Sequence, residues 1–488
     1  MSTELAAKGS LATRNKPSYY VNSLICVGIM LLFRFIPPVE PITALGMNIL
    51  GIFIGMIYGW LTVGMAWPSL FGIILLGLSG MMSVADAFKS GFGNNTILLI
   101  LFSFILTGVL GTSGVAKWIA NKLVSFKIAR GRPWVLSFLI LFSMFVLSSV
   151  ISITAAIMVV WSMFYGICEV YQFKKGEKWP MLMLVGIAFS GSLAYQLFPF
   201  KSLPAVVIGN YADLSGGGDI NFFRYFIWML ITDWIIIGIY LLAMKFVFKP
   251  DVSKIKNSDA SIVGEEKLTP YQRFILIYFI CYIVAVLLPS ILPADFALTI
   301  LLNKINTTGI TALFVLGLVF INFKEGGTLG DMFRPINWDL IFLLVGALTI
   351  SSAISNADTG ITAWISQVMG PVLQGKSFLI FAFLLILAAT VVTNFCNNMA
   401  TVAIFTPIAY NLCIASGAGV NVKAIMVVLI TVCSTALITP AGSTPAALIY
   451  GNKEWVPGKY PFTLGLFAVA ATFVVMFCIG LPLANVLF

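Results

Sequence analysis

Eight stretches of this chain, at about 19–36, 43–61, 63–80, 225–248, 271–292, 308–323, 422–440 and 460–486, run almost free of charge, and each is long enough to cross the ~30 Å of hydrocarbon in a bilayer. That feature decides the class of fold. Inside lipid every backbone N–H and C=O must be paired within the structure, so such stretches are helices. Composition agrees: 60% of the 488 residues are hydrophobic and only 9% charged, whereas a water-soluble surface needs roughly a quarter. The net charge of +10 is spread between the apolar runs. Charge placed that way retains loops on one membrane face and is not a nucleic-acid surface.

Several reaction classes are disfavoured. The chain has no histidine, the commonest metal ligand and acid–base group, and it has no paired carboxylates, so an enzyme is not expected and no catalytic residue is assigned. The seven cysteines have no CxxC spacing and sit in apolar runs, so they are expected in the core. The basic N-terminus before Tyr19 imitates a signal peptide, but no small-residue cleavage site follows it, and a retained first helix is expected. Two basic segments, Lys117 to Arg132 and Lys245 to Lys256, fall on opposite faces when crossings are counted, unless one segment between them is re-entrant. The positive-inside rule therefore leaves orientation open.

Other apolar stretches are interrupted: 95–112, 134–170, 181–209, 338–356 and 377–416. The interruptions are small and polar, with Ser149, Ser152 and Thr154 in one and Thr393, Asn394, Asn397 and Asn398 in another. A helix broken at membrane depth is tolerated where the freed backbone is buried in protein or lines a cavity. The stretches 95–112 and 338–356 read equally as spans or as re-entrant hairpins.

The chain also repeats. SGVAKWIANKLV from Ser113 reads against TGITAWISQVMG from Thr359, an offset of 246 (359 minus 113). SITAAIMVV from Ser152 reads against NNMATVAIF from Asn397, an offset of 245. KSLPAVVIGN from Lys201 reads against GSTPAALIYGN from Gly442, with Pro204 and Pro445 offset by 241. Three pairs in one order at near-constant spacing point to two related halves whose broken helices meet near the midplane, as in many secondary transporters. Half-helix N-termini hold anions without Lys or Arg, and freed carbonyls with Ser, Thr or Asn oxygens hold a cation. Ser202, Ser443 and Thr444 stand beside the prolines, where a helix stops and carbonyls are released.

On these residues the chain resembles the divalent anion/sodium symporter (INDY-like) family of dicarboxylate, citrate and sulfate carriers, from about residue 43 to the end. That family carries two Ser-Asn-Thr signatures, each at a helix break after a re-entrant hairpin. Asn398, Thr401 and Pro407 align with the second, Ser152 and Thr154 with the first. The resemblance implies an all-α polytopic membrane protein of about 11 transmembrane segments, with two inverted repeats, broken helices, re-entrant hairpins and an elevator motion. Residues 1–42 would be the tail and first helix, 43–222 the first repeat and 223–488 the second, with scaffold and transport domains interleaved across both. It implies a homodimer in the bacterial cytoplasmic (inner) membrane and a small anionic substrate. It implies no cofactor beyond Na⁺ as the coupling ion, with a Na⁺ site near Asn398. Nucleic acid is not an expected partner.

Carried over by position, the anion would meet Ser152, Thr154, Asn398 and Met399. Ser202, Pro204, Thr444 and Pro445 are further substrate-site candidates from the proline breaks. The second cation site would use Thr393, Asn397, Asn398 and carbonyls near Ala441 and Gly442; the first would use Ser148, Ser152 and carbonyls near Lys201. The chain departs from the signatures at Ile153, which stands for Asn, at Asn397 for Ser and at Met399 for Thr. Lys201 stands where the second repeat has Gly442. Its ammonium either replaces a Na⁺, snorkels to an interface or pairs with Asp213. Asp233 and Asp339 are expected to be interfacial. The function expected is Na⁺-coupled symport or exchange of a C4-dicarboxylate, citrate or sulfate; the alternative is a related branch such as an arsenite extruder or a Na⁺/H⁺ antiporter.

Overall fold

The computed structural model describes residues 17–124, 127–256, 267–324, 328–334, 336–364, 367–368, 378–416 and 420–488. Its main helices are α1 (Pro17–Leu32), α2 (Ala44–Thr62), α3 (Ala66–Gly77), α4 (Val84–Phe92), α5 (Asn95–Thr112), α6 (Val115–Val124), α7 (Pro133–Val150), α8 (Ile153–Val170), α9 (Lys178–Ala194) and α10 (Ser202–Leu214). After these come α11 (Phe222–Phe248), α12 (Pro270–Ser290), α13 (Ala297–Lys324), α14 (Trp338–Ile354), α15 (Phe378–Thr393), α16 (Asn398–Ala415), α17 (Val422–Ser434), α18 (Thr444–Gly451) and α19 (Tyr460–Leu487). Among the described residues there is no strand.

Ten of these helices are long and apolar enough to span a bilayer, and α3, α9, α14, α15 and α17 are shorter apolar helices. Polar N-caps set many of the starts, as Thr43, Asn94, Asn221 and Asn337 each accept a hydrogen bond from the first turn they precede. The polar groups in an otherwise apolar sequence thus mark helix ends, where backbone donors lack partners. The apolar stretches 95–112 and 338–356 are single helices, α5 and α14, not hairpins. The run 422–440 is shorter than its hydropathy suggests: α17 ends at Ser434, and residues 435–443 are not helical.

The hairpins lie at the signature breaks themselves. Two residues, Ile151 and Ser152, both extended, join α7 to α8, and these two arms pack on each other and on α9. Residues 394–397 join α15 to α16, and both arms pack along α17. The family pattern, read as a break following a hairpin, is corrected to a break at the hairpin tip. Each hairpin precedes a broken helix, α9 to α10 across 195–201 and α17 to α18 across 435–443. The second pieces cross over: α10 packs on α16 and α17, and α18 packs on α8 and α9.

The first hairpin also resolves the charge count. A hairpin returns the chain to the face it left, so the two basic segments share a face. Lys254 Nζ lies 2.7 Å from Glu177 Oε1 and donates to the Gln172 carbonyl at 3.0 Å, and Lys175 pairs with Glu454. The loops at 172–177, 249–256 and 452–459 therefore meet at one end of the molecule.

Candidate transport site

The two tips and the two breaks converge on one cavity of about 530 Å³, within the range of small-molecule sites. Its wall includes Ser152, Ile153 and Thr154 from the first tip and Asn397, Asn398 and Met399 from the second. It also includes Ser202 and Leu203 from the first break and Gly442, Ser443, Thr444 and Pro445 from the second. These are the N-terminal ends of α8, α16, α10 and α18. Among the described residues, no Lys, Arg, Asp or Glu is on the wall.

Three of the four ends are capped by oxygen. Ser152 accepts from the Ala155 N–H at 3.4 Å, Asn397 Oδ1 from the Met399 N–H at 2.8 Å and Ser443 from the Ala446 N–H at 3.2 Å. The fourth N-cap is Lys201, whose side chain makes no cap bond. Each N-terminus carries roughly half a positive charge, so four sum to about two elementary charges, the magnitude of a dicarboxylate's charge.

Beside the second tip lies a knot of oxygens. The single Thr393 Oγ1 hydrogen is shared between two acceptors, the Cys433 carbonyl at 2.7 Å and Asn398 Oδ1 at 3.0 Å, while Asn398 Nδ2 donates to the Ser434 carbonyl at 3.1 Å. Asn394 Nδ2 donates to the Thr390 carbonyl at 2.7 Å, its Oδ1 accepts from the Ile438 N–H at 2.9 Å, and its carbonyl accepts from Thr439 Oγ1. Gly442 is pressed onto this knot: a Cβ there would lie 3.0 Å from the Asn394 carbonyl oxygen and 3.1 Å from that of Thr393. Ala441 is exposed next to it.

The first tip is built differently. Lys201 is only 3% exposed, and its Nζ donates to the Ile151 carbonyl at 3.1 Å and lies 4.8 Å from the centre of the Tyr195 ring. It does not snorkel. It does not pair with Asp213 either, whose Oδ2 accepts from Asn94 Nδ2 at 2.8 Å. Ser148 is fully buried and donates to the Gly191 carbonyl at 2.7 Å. Ser148, Thr393, Lys201, Pro204 and Ala441 are not on the cavity wall; all but the exposed Ala441 are buried.

The sequence pattern overlooked other parts of the wall: Thr107, Gly108 and Thr112 of α5, Tyr195, Gln196 and the N-cap Asn337 of α14. Gln196 is 4% exposed, its carbonyl accepts from Tyr225 Oη at 2.6 Å and its Oε1 has no partner. A lone glutamine inside the apolar run 181–209 was the signal available for it. Asp233 is not interfacial: it is fully buried within α11, and neither carboxylate oxygen has a partner. Asp339 stands exposed in the first turn of α14.

Discontinuous helices meeting at a central cavity, in a protein whose long helices fit a bilayer, define a polytopic helical membrane transporter. The chain belongs to the citrate transporter family, whose family model matches residues 57–432 and again 309–488. It is 23% identical over 399 residues to an uncharacterised transporter of Haemophilus influenzae, covering 80% of this chain and 82% of that one. It is 33% identical over 137 residues to an uncharacterised transporter of Synechocystis, a match covering 28% of this chain and 20% of that one. A sodium-dependent high-affinity dicarboxylate transporter of Caenorhabditis elegans is 28% identical over 134 residues, 27% of this chain and 23% of that protein. Among solved structures, MtrF of Neisseria gonorrhoeae aligns with a TM-score of 0.61 over 96% of this chain and 95% of that one at 14% identity, a likeness of fold alone.

Proposed function

We propose that this chain is a secondary carrier of a small dianion, of the C4-dicarboxylate, citrate or sulfate type, in the bacterial cytoplasmic (inner) membrane. The observation that carries this reading is the convergence of four helix N-termini on a cavity that has no charged side chain among the described residues. Substrate oxygens are held by the N–H groups that open α8, α10, α16 and α18, by the hydroxyls of Ser152, Thr154, Ser202 and Thr444, and by the Asn398 amide. Na⁺ sits beside the second tip among the oxygens of Thr393, Asn397, Asn398 and the neighbouring carbonyls, the hard ligand set alkali ions take. The name of the Caenorhabditis relative supports a sodium-coupled dicarboxylate reading.

At the first tip the Lys201 ammonium takes the place of a second Na⁺. A lysine at a helix N-terminus faces the positive end of the dipole, and burial away from any carboxylate adds to that cost. Such a placement is explained by a tip carbonyl that needs a cation. The homodimer and the elevator motion belong to this reading, as does the relation of residues 43–222 to 223–488 as inverted repeats.

The test is uptake of labelled succinate and citrate into proteoliposomes under an inward Na⁺ gradient, under choline, and with unlabelled substrate inside. Uptake that requires Na⁺ means symport, and uptake that requires only internal substrate means exchange. No uptake of either anion or of sulfate sinks the proposal. Lys201→Gly is expected to raise the dependence on Na⁺; unchanged dependence with intact transport overturns the role of Lys201.

One observation favours a second coupling reading. Asp233 is an unpartnered carboxyl within a span, and such a group can relay protons. Uptake driven by an inward pH gradient in choline, and lost in Asp233→Asn, would establish proton coupling.

A further inference from the structure

The helices α10 and α14 begin at the transport cavity, through Ser202 on one and Asn337 and Leu340 on the other. Their far ends meet around a second cavity of about 290 Å³. With 13 residues in α10, that cavity lies about 18 Å along the helix from the first. Its wall is rich in oxygen: the Asp213 carboxylate, the hydroxyls of Ser352 and Ser355, and the amides of Asn210 and Asn356. Among the described residues, no Lys or Arg is on it.

Two helix C-termini, each with roughly half a negative charge, add to the Asp213 carboxylate, so the cavity repels anions and attracts a cation. Independently, buried polar atoms on its wall lack partners. Asn210 is 2% exposed; its Oδ1 accepts from Ser351 Oγ at 2.9 Å, but its Nδ2 has no partner, and neither has Ser355 Oγ. An unpartnered buried amide is costly. An N–H donor cannot ligate a metal ion, but it can donate to a water that does.

We propose that this cavity binds a hydrated alkali cation, with Asp213 as the charged ligand, Ser352 and Ser355 as neutral oxygen ligands and Asn210 Nδ2 holding a coordinated water. The hard oxygen set suits Na⁺ or K⁺. The ion ties the C-terminal ends of α10 and α14 together and lies outside the transport cavity, so its binding does not depend on which anion the protein carries.

The experiment uses the purified full-length chain carrying Leu214→Cys, a wall position that supplies no ligand, with alkylation of that peptide by a maleimide followed by mass spectrometry. Ionic strength is held constant with N-methylglucamine, NaCl or KCl. Occupancy slows alkylation in proportion to ligand over Kd, so a site with a Kd of about 10 mM gives about tenfold protection at about 100 mM salt. The expected result is protection by Na⁺ or K⁺ that is lost in Asp213→Asn and kept in Asn398→Ala. Equal rates in all three salts overturn the proposal, as does protection that survives Asp213→Asn. So does protection lost in Asn398→Ala but kept in Asp213→Asn, which would place the effective ion at the transport cavity. Should Asp213→Asn fail to fold, Ser355→Leu, which fills the cavity, is read the same way. Failure of dicarboxylate uptake leaves this result untouched.

Discussion

The two hairpin tips solve one problem in two ways. Each ends a helix at membrane depth and leaves carbonyl oxygens that hydrocarbon cannot satisfy. At the second tip the side chains of Thr393, Asn394 and Asn398 bind across to residues 433–438, and Gly442 lets the backbone close onto the Thr393 and Asn394 carbonyls. At the first tip Lys201, on the equivalent break, reaches a single carbonyl, that of Ile151. Two different local chemistries thus support the same turn: a network of neutral oxygens, or one tethered ammonium. Under the proposed Na⁺ coupling, a fixed charge cannot leave with the substrate, so the difference would set how many ions move per cycle.

The contrast is broken most severely at Asn394. This fully buried amide joins Thr390 to Ile438, and Asn394→Ala strands a backbone N–H as well as removing two bonds. A loss of about 2–4 kcal/mol is expected, measured as a lowered midpoint of unfolding in detergent. A loss below about 1 kcal/mol would mean that the second tip is not held by this amide, and the distinction between the tips would fail.

Next comes Gly442→Ala. The added methyl would sit 3.0 Å from Ala436 Cβ and from the Asn394 carbonyl, tighter than ordinary contact. Overpacking of this kind costs about 1–3 kcal/mol, and crowding of the Thr393 and Asn394 carbonyls is expected to weaken Na⁺ at the second tip. The readout is the Na⁺ concentration for half-maximal uptake, expected to rise while uptake at saturating Na⁺ persists. A half-saturation value equal to wild type would separate this glycine from the cation.

Lys201→Met sharpens the contrast with little effect on stability. It removes a buried charge at the same time as a bond to Ile151, and these terms largely offset, so the melting midpoint should move by the equivalent of less than about 1 kcal/mol. The cation response should nonetheless change, with the ratio of uptake in Na⁺ to uptake in choline rising severalfold. A large loss of stability with an unchanged ratio would make Lys201 a structural strut.

Much of this architecture was legible. The long apolar runs fixed the helices, and the clusters at Ser152 and at Thr393 to Asn398 marked the tips, because small polar residues in membrane helices stand where the backbone opens. The alignment of Lys201 with Gly442 drew attention to the residue that departs most from the repeat. What stayed hidden depends on fold-back. Hydropathy cannot tell a hairpin from a crossing, so the faces of the two basic segments stay open in the sequence, and the pairing of α7 with α8 places them together. Wall residues such as Gln196 and Asn337 come from elements far apart in sequence, and no periodicity announces them. Asp233 looked like an end-of-span carboxylate because its neighbours in sequence are ordinary; its isolation is a property of the surrounding helices.

The smallest effect lies at the base of the first hairpin, which a loop cation ties down and which sets that hairpin apart at its open end as Lys201 does at its tip. Partial burial by itself raises the Glu177 carboxyl, but the hydrogen bond from Lys254, the Lys174 N–H and both lysine charges outweigh it and hold the group below the usual range. Its folded form therefore binds a proton less readily than its unfolded form. The pair contributes above the unfolded value of about 4.3, and the contribution fades as pH falls through the lower folded value. Both side chains are about one-third exposed, so solvent screening limits the gain to about 0.2–1 kcal/mol. Glu177→Gln should lower the melting midpoint slightly at pH 7, and the deficit should shrink as pH falls through the lowered folded value, below which the carboxyl is protonated in both states. A deficit that stays the same as pH falls through that value would assign the loss to packing against the Lys254 stem, and the base of the hairpin would then be held by contact instead of charge.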